Sequence, residues 1–569
     1  MSIKNNVAKA AIAAGLSIAM TLGSIAPATM ALAEGTAADS TITISNVDGN
    51  VTNFKGYQIF KATVVDGTDG TKTVSNITWA NGAVKAAVEG VIKAQDTAYA
   101  GTTAQDAADW IKANVTGTTK TTAVSSDTVA VAIAKAVSGL TTTTTVTGGT
   151  ASDALDAGYW LFVTDPDSVD NASGSKNTET YTSPIFAVIG GSTYTVTEKA
   201  SIPTVEKKIV SDADGVEYDA ADSHVGQDVT YNIYGTVAQD FATYDSYSYV
   251  FTDNVSQGLT VDSASVKVYM YASKDAAKAD LTHTSGTDVT THFTTTLGDA
   301  KADGSKDLTV TANDEKGLKS IGGATKDSCF VVTYTAKINS KAVIGNAGNP
   351  NIVTLTYSNN PQADGTGVTV PDTVRDFTYA LNLVKLDQGT ETALDGAKFT
   401  IQVKTADDSA STGKYVQEDG SLGDTAYEFT TDESGVINVK GLDAGTYTVT
   451  ENSAPAGYST VDAFDFTITP TIDQTAQTVT LTSTLTTSDS THVVAGLTDG
   501  TAGDNVLNVT DGSAITDNKT VNITVGDVKS VGLPLTGQAG VTLTWIAGGT
   551  VLAIGLAHLI RSRKDQDAE

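Results

Sequence analysis

The sequence contains one cysteine, Cys329, in 569 residues, so no internal disulfide can form. Histidine is almost as scarce. His224, His283, His292, His492 and His558 are scattered, and none has metal-ligand spacing. Asp212-Ala213-Asp214-Gly215 opens like a calcium loop, but Ser223 stands where the closing carboxylate is required. There is no phosphate-binding glycine loop, dinucleotide fingerprint or nucleophile elbow, so the chain reads as a non-enzyme without metal or cofactor. A surface hydrolase would need catalytic clusters that are missing. Basic residues are also few: 35 against 65 acidic ones leave a net charge of −30, which disfavours nucleic acid and anionic lipid as partners.

Hydrophobic residues make up 40% of the chain and glycine is abundant, with 52 copies. Alternating runs at 228–234, 330–338, 353–357 and 446–450 read as half-buried strands between Gly, Asn and Asp turns. Helical spacing is confined to 81–94, 103–113 and a weaker stretch at 126–137. The expectation is an all-β chain of tandem β-sandwich domains, with short helical insertions in the first. Leu155-Asp156-Ala157-Gly158-Tyr159-Trp160-Leu161-Phe162 is echoed by Leu442-Asp443-Ala444-Gly445-Thr446-Tyr447-Thr448-Val449, as in a repeated module.

The two ends carry targeting signals. Residues 1–33 place Lys4 and Lys9 before an apolar run at 10–25, then Ala31-Leu32-Ala33 before Glu34, the layout of a secretory signal peptide. Near the other end an uncharged stretch, 541–560, has the length of a membrane span, and Arg561, Arg563 and Lys564 follow it. Just before it stands Leu533-Pro534-Leu535-Thr536-Gly537. This order resembles the LPxTG sorting signal of Gram-positive surface proteins. The resemblance implies secretion, transient membrane retention, cleavage by a sortase between Thr536 and Gly537, and transfer of the Thr536 acyl group to an amine.

Two internal segments carry a second resemblance. Leu381-Asn382-Leu383-Val384-Lys385-Leu386-Asp387, Leu394-Asp395-Gly396-Ala397-Lys398-Phe399 and Thr446-Tyr447-Thr448-Val449-Thr450-Glu451, followed by Pro455-Ala456-Gly457-Tyr458, resemble the CnaB-type (prealbumin-like) domains of Gram-positive pilins. That family joins a lysine to an Asn or Asp of the last strand with help from a Glu. The resemblance implies Lys385 as nucleophile, Glu451 as acid/base and Asp527, in Val525-Gly526-Asp527-Val528-Lys529, as acceptor, with Asn522 and Asn518 as alternatives. Pro203-Thr204-Val205-Glu206-Lys207, Phe251-Thr252-Asp253-Asn254 and Leu355-Thr356-Tyr357-Ser358-Asn359-Asn360-Pro361 resemble the CnaA-like second domain of backbone pilins. They imply Lys207 as nucleophile and Asp253 as acid. Asn359 is the expected acceptor, since it alternates with Leu355 and Tyr357; Asn360 is the alternative.

The chemistry follows from burial. An ammonium cannot attack a carbonyl, and an apolar core lowers a lysine's pKa while keeping a carboxyl protonated. Folding then holds nucleophile and acceptor together, where effective molarities reach about 10⁵ M. Each amide closes a loop of about 150 residues and removes roughly 5 kcal/mol of denatured-state freedom on the chain-entropy model.

The expected organisation is a signal peptide at 1–33, a pilin N-terminal domain at 34–200, a CnaA-like domain at 201–372, a CnaB-type domain at 373–530 and the sorting signal at 533–569. Phe54-Lys55-Gly56-Tyr57 and Ile77-Thr78-Trp79 resemble the pilin first domain, where Lys55 and Lys61 find no convincing acid and acceptor. Lys199, in Val196-Thr197-Glu198-Lys199-Ala200, occupies the place of the pilin linkage lysine, with Lys208 second. The resemblance as a whole implies the backbone subunit of a wall-anchored surface pilus, with sortase, identical subunits, peptidoglycan and a host-surface ligand as partners. A monomeric peptidoglycan-anchored adhesin is the alternative.

Overall fold

The computed structural model describes residues 40–47, 50–67, 71–115, 128–169, 180–488, 492–495, 509–510 and 519–530. The expectations for the leader, Asn518, the sorting motif and the apolar span lie outside these residues.

The first region is built on one antiparallel sheet in the order Lys72–Trp79, Phe54–Asp66, Gly158–Thr164, Ile185–Ile189, with Thr144–Val146 beside the second strand. Its helices, Gly82–Gln95, Ala104–Asn114 and Thr128–Ser138, fall where apolar spacing predicts them. The Asn81 side chain caps the first by accepting the Val84 N–H, and Thr103 with Asp106 forms a capping box on the second. These helices form a layer over one sheet face, burying Val88, Ile92, Ile111 and Ile133 against Leu161 and Val188. On the other face a parallel pair, Ile42–Ser45 with Tyr194–Thr197, covers Phe54, Trp160 and Phe162. The strand Gly158–Thr164 is therefore buried on both sides, which is why it carries almost no polar side chain.

The second region is a sandwich of two seven-stranded sheets. One contains Tyr249–Val255, Asn349–Ser358 and Asp372–Phe377; the other contains Val205–Val210, Asp228–Thr236 and Cys329–Ile338. Phe251, Leu308, Val353 and Leu355 meet Ile209, Tyr231, Phe330 and Val332 between them. In the third region Tyr379–Asp387 lies between Val436–Leu442 and the final strand Thr520–Lys529, facing a larger sheet that includes Lys398–Ala406 and Gly445–Ser453. The final strand runs parallel to the opening one, with Ala380 opposite Thr520 and Asp387 opposite Asp527.

The echoed octapeptides share a backbone device. Gly158 and Gly445 have φ of +155° and +146°, and a Cβ there would lie 2.0 Å from the Phe60 carbonyl oxygen and 2.4 Å from that of Thr405. Each faces a register shift in its partner strand. Two residues on, Trp160 Nε1 donates to the Asp156 carbonyl at 3.0 Å and the Tyr447 hydroxyl to the Asp443 carbonyl at 2.9 Å. Only glycine tolerates that approach, so the echo marks the same bulge built twice.

The second and third regions are joined tightly. Gln474 accepts from the Asp219 and Ala220 N–H groups and donates to the Ala220 carbonyl, each at 2.9 Å, and Ala220 itself enters the third core. Asp376 and Asp443 are buried at this joint, and Asp222 is half-buried with its Oδ2 enclosed. Ser223 Oγ donates to Asp376 at 3.0 Å, and the Ala444 N–H donates to Asp443 at 2.8 Å. Burial raises all three carboxyls, and the carboxylates at Asp212 and Asp407 add to the effect on Asp222, which reaches about 6. A carboxyl raised above its ordinary value of 3.8 stabilises the fold fully at low pH and loses that contribution as pH rises through about 6. Asp222→Asn supplies a permanent donor. It is expected to leave the unfolding free energy unchanged at pH 4 and to raise it at pH 8 by on the order of 3 kcal/mol at most, read by calorimetry at both pH values.

Candidate functional site

Lys385 alternates with Leu381 and Leu383 on the core face of its strand, so its side chain enters the third core and is fully buried. Nζ donates to Glu451 Oε2 at 2.9 Å and to Asp527 Oδ1 in a shorter contact, and lies 5.4 Å from the Phe399 ring centre. Glu451 is held by the Val461 N–H, which donates to Oε2 at 2.9 Å. Glu451 Oε1 and Asp527 Oδ2 are buried with no donor among the described residues, so one proton between the two carboxyls would satisfy both. Burial pushes the Asp527 carboxyl up to about 6 against the pull of Lys385. The Pro455 to Tyr458 turn has a structural task here: Tyr458–Ser459 pairs with Val528 and Lys529, and the Tyr458 hydroxyl donates to Asp387 at 2.7 Å. It pins the end of the strand that carries Asp527. Asn522 has the opposite side-chain parity, sits beside Asn382, and is not brought to Lys385.

The second site has the same logic on different strands. Lys207 is fully buried; Nζ donates to Asp253 Oδ2 in a short contact and to the Tyr334 hydroxyl at 3.0 Å. It lies 5.0 Å from the ring centres of both Tyr231 and Tyr334. Burial pushes its ammonium down to about 8 despite the Asp253 charge. Tyr334 Oη also donates to Asp253 Oδ2 at 2.6 Å and accepts from Asn351 Nδ2 at 2.6 Å. Asp253 Oδ1 and Asn351 Oδ1 are buried with no donor among the described residues.

The expectation for Asn359 is therefore corrected. The structure brings Asn351 to the lysine's neighbour Tyr334, on the strand that ends just before Asn359 and with the same side-chain parity, but 359 − 351 = 8 residues earlier, roughly 26 Å along an extended chain. Asn359 lies beyond the strand end, where its carbonyl accepts from the Tyr181 N–H at 2.9 Å and from Thr180 Oγ1 at 3.1 Å. Asn360 is a turn residue whose side chain accepts from the Gln362 and Ala363 N–H groups. Alternation gave the correct face; only the pairing of Asp253 with Val353, two residues from Asn351, selects the position along it. Tyr334 was also missed. Its signal is a lone hydroxyl on a face otherwise occupied by Phe330, Val332, Ala336 and Ile338.

Elsewhere the candidates separate. Lys55 pairs with Asp165 at 2.8 Å and Asp167 at 3.5 Å near the surface, and Lys61 is exposed. The pentapeptide Tyr-Thr-Val-Thr-Glu occurs at both 194–198 and 447–451. Glu198, unlike Glu451, takes its hydrogen bonds from the Val47 N–H, Asn50, Asn46 and Thr52 rather than from a lysine. Lys199 is 1% exposed, and burial pushes it down to about 8. Lys208 pairs with Asp219 at 2.5 Å and Glu206 at 3.3 Å.

Residues 380–490 match the prealbumin-like fold domain of SpaA. The matched span holds Lys385 and Glu451, and the strand of Asp527 lies past its end. The chain is 26% identical over 274 residues to the trypsin-resistant surface T6 protein of Streptococcus pyogenes serotype M6, covering 46% of this chain and 44% of that protein. Thus it spans less than half the length of that relative. Among solved structures it is similar to the T6 backbone pilin of the same serotype (16% identity, TM-score 0.48, 86% of this chain and 99% of that one). It is similar also to the major pilin SpaD of Corynebacterium diphtheriae (17% identity, TM-score 0.42, 87% and 98%).

Replacing Asn351 by Ala is expected to abolish any closure at Lys207, seen in intact-mass spectra as the absence of the loss of about 17 Da that expelled ammonia produces. Asn359→Ala is expected to leave that loss in place.

Proposed function

We propose that this chain is the backbone subunit of a covalently polymerised, cell-wall-anchored pilus, stabilised by two amides that its own folding forms. The observation that carries the reading is the pair of fully buried lysines: Lys385 touches the Glu451 carboxyl and the acid acceptor Asp527 directly, and Lys207 touches the Asp253 carboxyl and reaches Asn351 through the Tyr334 hydroxyl. Nothing turns over: each site reacts once, so the chain is a substrate of its own fold rather than an enzyme. At Lys385 the neutral amine attacks Asp527 Cγ, Glu451 shuttles protons, and water leaves. At Lys207 the acceptor is Asn351 and ammonia leaves. Either product is neutral, which removes the cost of a buried ion pair.

Assembly in this reading uses the sorting motif. Sortase would cleave after Thr536 and pass its acyl group to a lysine of the next subunit, Lys199 first and Lys208 second, and finally to peptidoglycan. The module boundaries near 200 and 372 belong to the same proposal. One observation favours the monomeric wall-anchored adhesin instead: the Lys199 side chain is closed off in this conformation.

Two measurements test the proposal. The recombinant chain from 34 to 530 is expected to weigh about 35 Da less than its sequence, from one ammonia and one water; an unshifted mass overturns self-closure. In cells with an intact sortase, wall extracts boiled in detergent are expected to give a high-mass ladder that Lys199→Ala abolishes. Monomers alone would sink polymerisation, and loss of the ladder in Lys208→Ala instead would move the linkage there.

A further inference from the structure

The Lys207 site has a group that the Lys385 site lacks. Around Lys385 the nearest ring is Phe399, and Nζ touches both carboxyls directly. Around Lys207 a tyrosine hydroxyl stands at the centre: Tyr334 Oη is 3.0 Å from the nucleophile Nζ, 2.6 Å from Asp253 Oδ2 and 2.6 Å from Asn351 Nδ2. It is saturated, donating once and accepting twice. Tyr334 is 1% exposed, so bulk water does not supply the protons that move here.

The acceptors differ in parallel. An aspartic acid acceptor loses water, whereas an asparagine acceptor must lose an amine, and an amine leaves only as neutral ammonia. A proton therefore has to reach Nδ2 at the moment the carbon–nitrogen bond breaks. Asp253 is in direct contact with Lys207 Nζ, but its hydrogen-bonded path to Nδ2 runs through Oη.

We propose that Tyr334 is a catalytic residue of amide formation at Lys207, relaying the proton of the nucleophile to the departing ammonia. This rests on the reading that Lys207 and Asn351 become joined. The ammonium first gives a proton to Asp253 Oδ2, which leaves a neutral amine and turns that oxygen from acceptor into donor toward Oη. Nζ attacks Asn351 Cγ, and the carbonyl electron pair moves to Oδ1. Nδ2, no longer conjugated, becomes basic, and its hydrogen bond to Tyr334 reverses. Oη passes its hydrogen to Nδ2 and takes the one held by Asp253. The Oδ1 pair then restores the carbonyl, the Cγ–Nδ2 bond breaks, ammonia departs, and the second Nζ proton passes to Asp253. One carbon–nitrogen bond forms, one breaks, and no ion or external reagent is left over.

Tyr334→Phe removes the hydroxyl and keeps the ring that stacks on Tyr231 at 5.4 Å. After refolding, wild type and variant are followed by intact mass and by mapping the branched peptide joining Lys207 to Asn351. The wild type is expected to lose both ammonia and water. The variant is expected to lose water on time, showing a folded third module, and to form the Lys207 amide slower by about 10²-fold or more. Tyr334→Met, which repacks more easily, is read in the same way, so that a poorly folded Phe variant does not decide the matter. Closure at the wild-type rate in either folded variant overturns the relay while leaving the amide. Failure of the wild type to form the Lys207 amide overturns the underlying reading and the relay with it.

Discussion

The structure depends on two primary amines held in apolar cores. A buried ammonium is costly unless it is paired, and the charged partners supplied among the described residues are carboxyls that are themselves buried. Each lysine thus sits where its charge is least welcome, against groups able to take its proton and a carbonyl carbon able to take its electron pair. The lowered Lys207 and the raised Asp527 are two views of one fact: desolvation drives amine and acid toward their neutral, reactive forms.

Strand alternation and register bring these groups together. Lys385 and Asp527 lie near the ends of adjacent parallel strands, and Glu451 reaches them from the facing sheet. Lys207 and Asp253 belong to opposite sheets, with Tyr334 in the sheet of the first, one strand removed, and Asn351 on the strand next to the second. A cross-link at either place ties an early strand to a late one, a role that disulfides cannot play in a chain with a single buried cysteine.

Much of this was legible in the sequence, for reasons that differ from residue to residue. The helices followed from apolar spacing, and the structure adds caps at Asn81 and Thr103. The grouping of Lys385, Glu451 and Asp527 was expected from the resemblance to CnaB-type domains, with Asn522 and Asn518 as alternatives to Asp527, and the structure brings the first three together. The place of Asn351 beside the Lys207 group was not legible, because alternation is a local property whereas the pairing of Asp253 with Val353 is set only when distant strands meet. Tyr334 was hidden for the same reason: a hydroxyl in a core strand has no meaning until its three partners are known. The layered first region also departs from a plain sandwich, since its strands are short of polar faces and the helices supply the missing cover.

The parallel course of Tyr379–Asp387 and Thr520–Lys529 has a mechanical consequence. A pull on the two ends of the third module enters at the start of one strand and leaves at the finish of its neighbour, so the rungs between them are sheared together instead of being peeled one by one. With Lys385 and Asp527 joined, force would pass from the first strand directly into the last. Everything from 386 to 526 would then hang as an unstretched side loop, and the module could not lengthen without breaking a covalent bond.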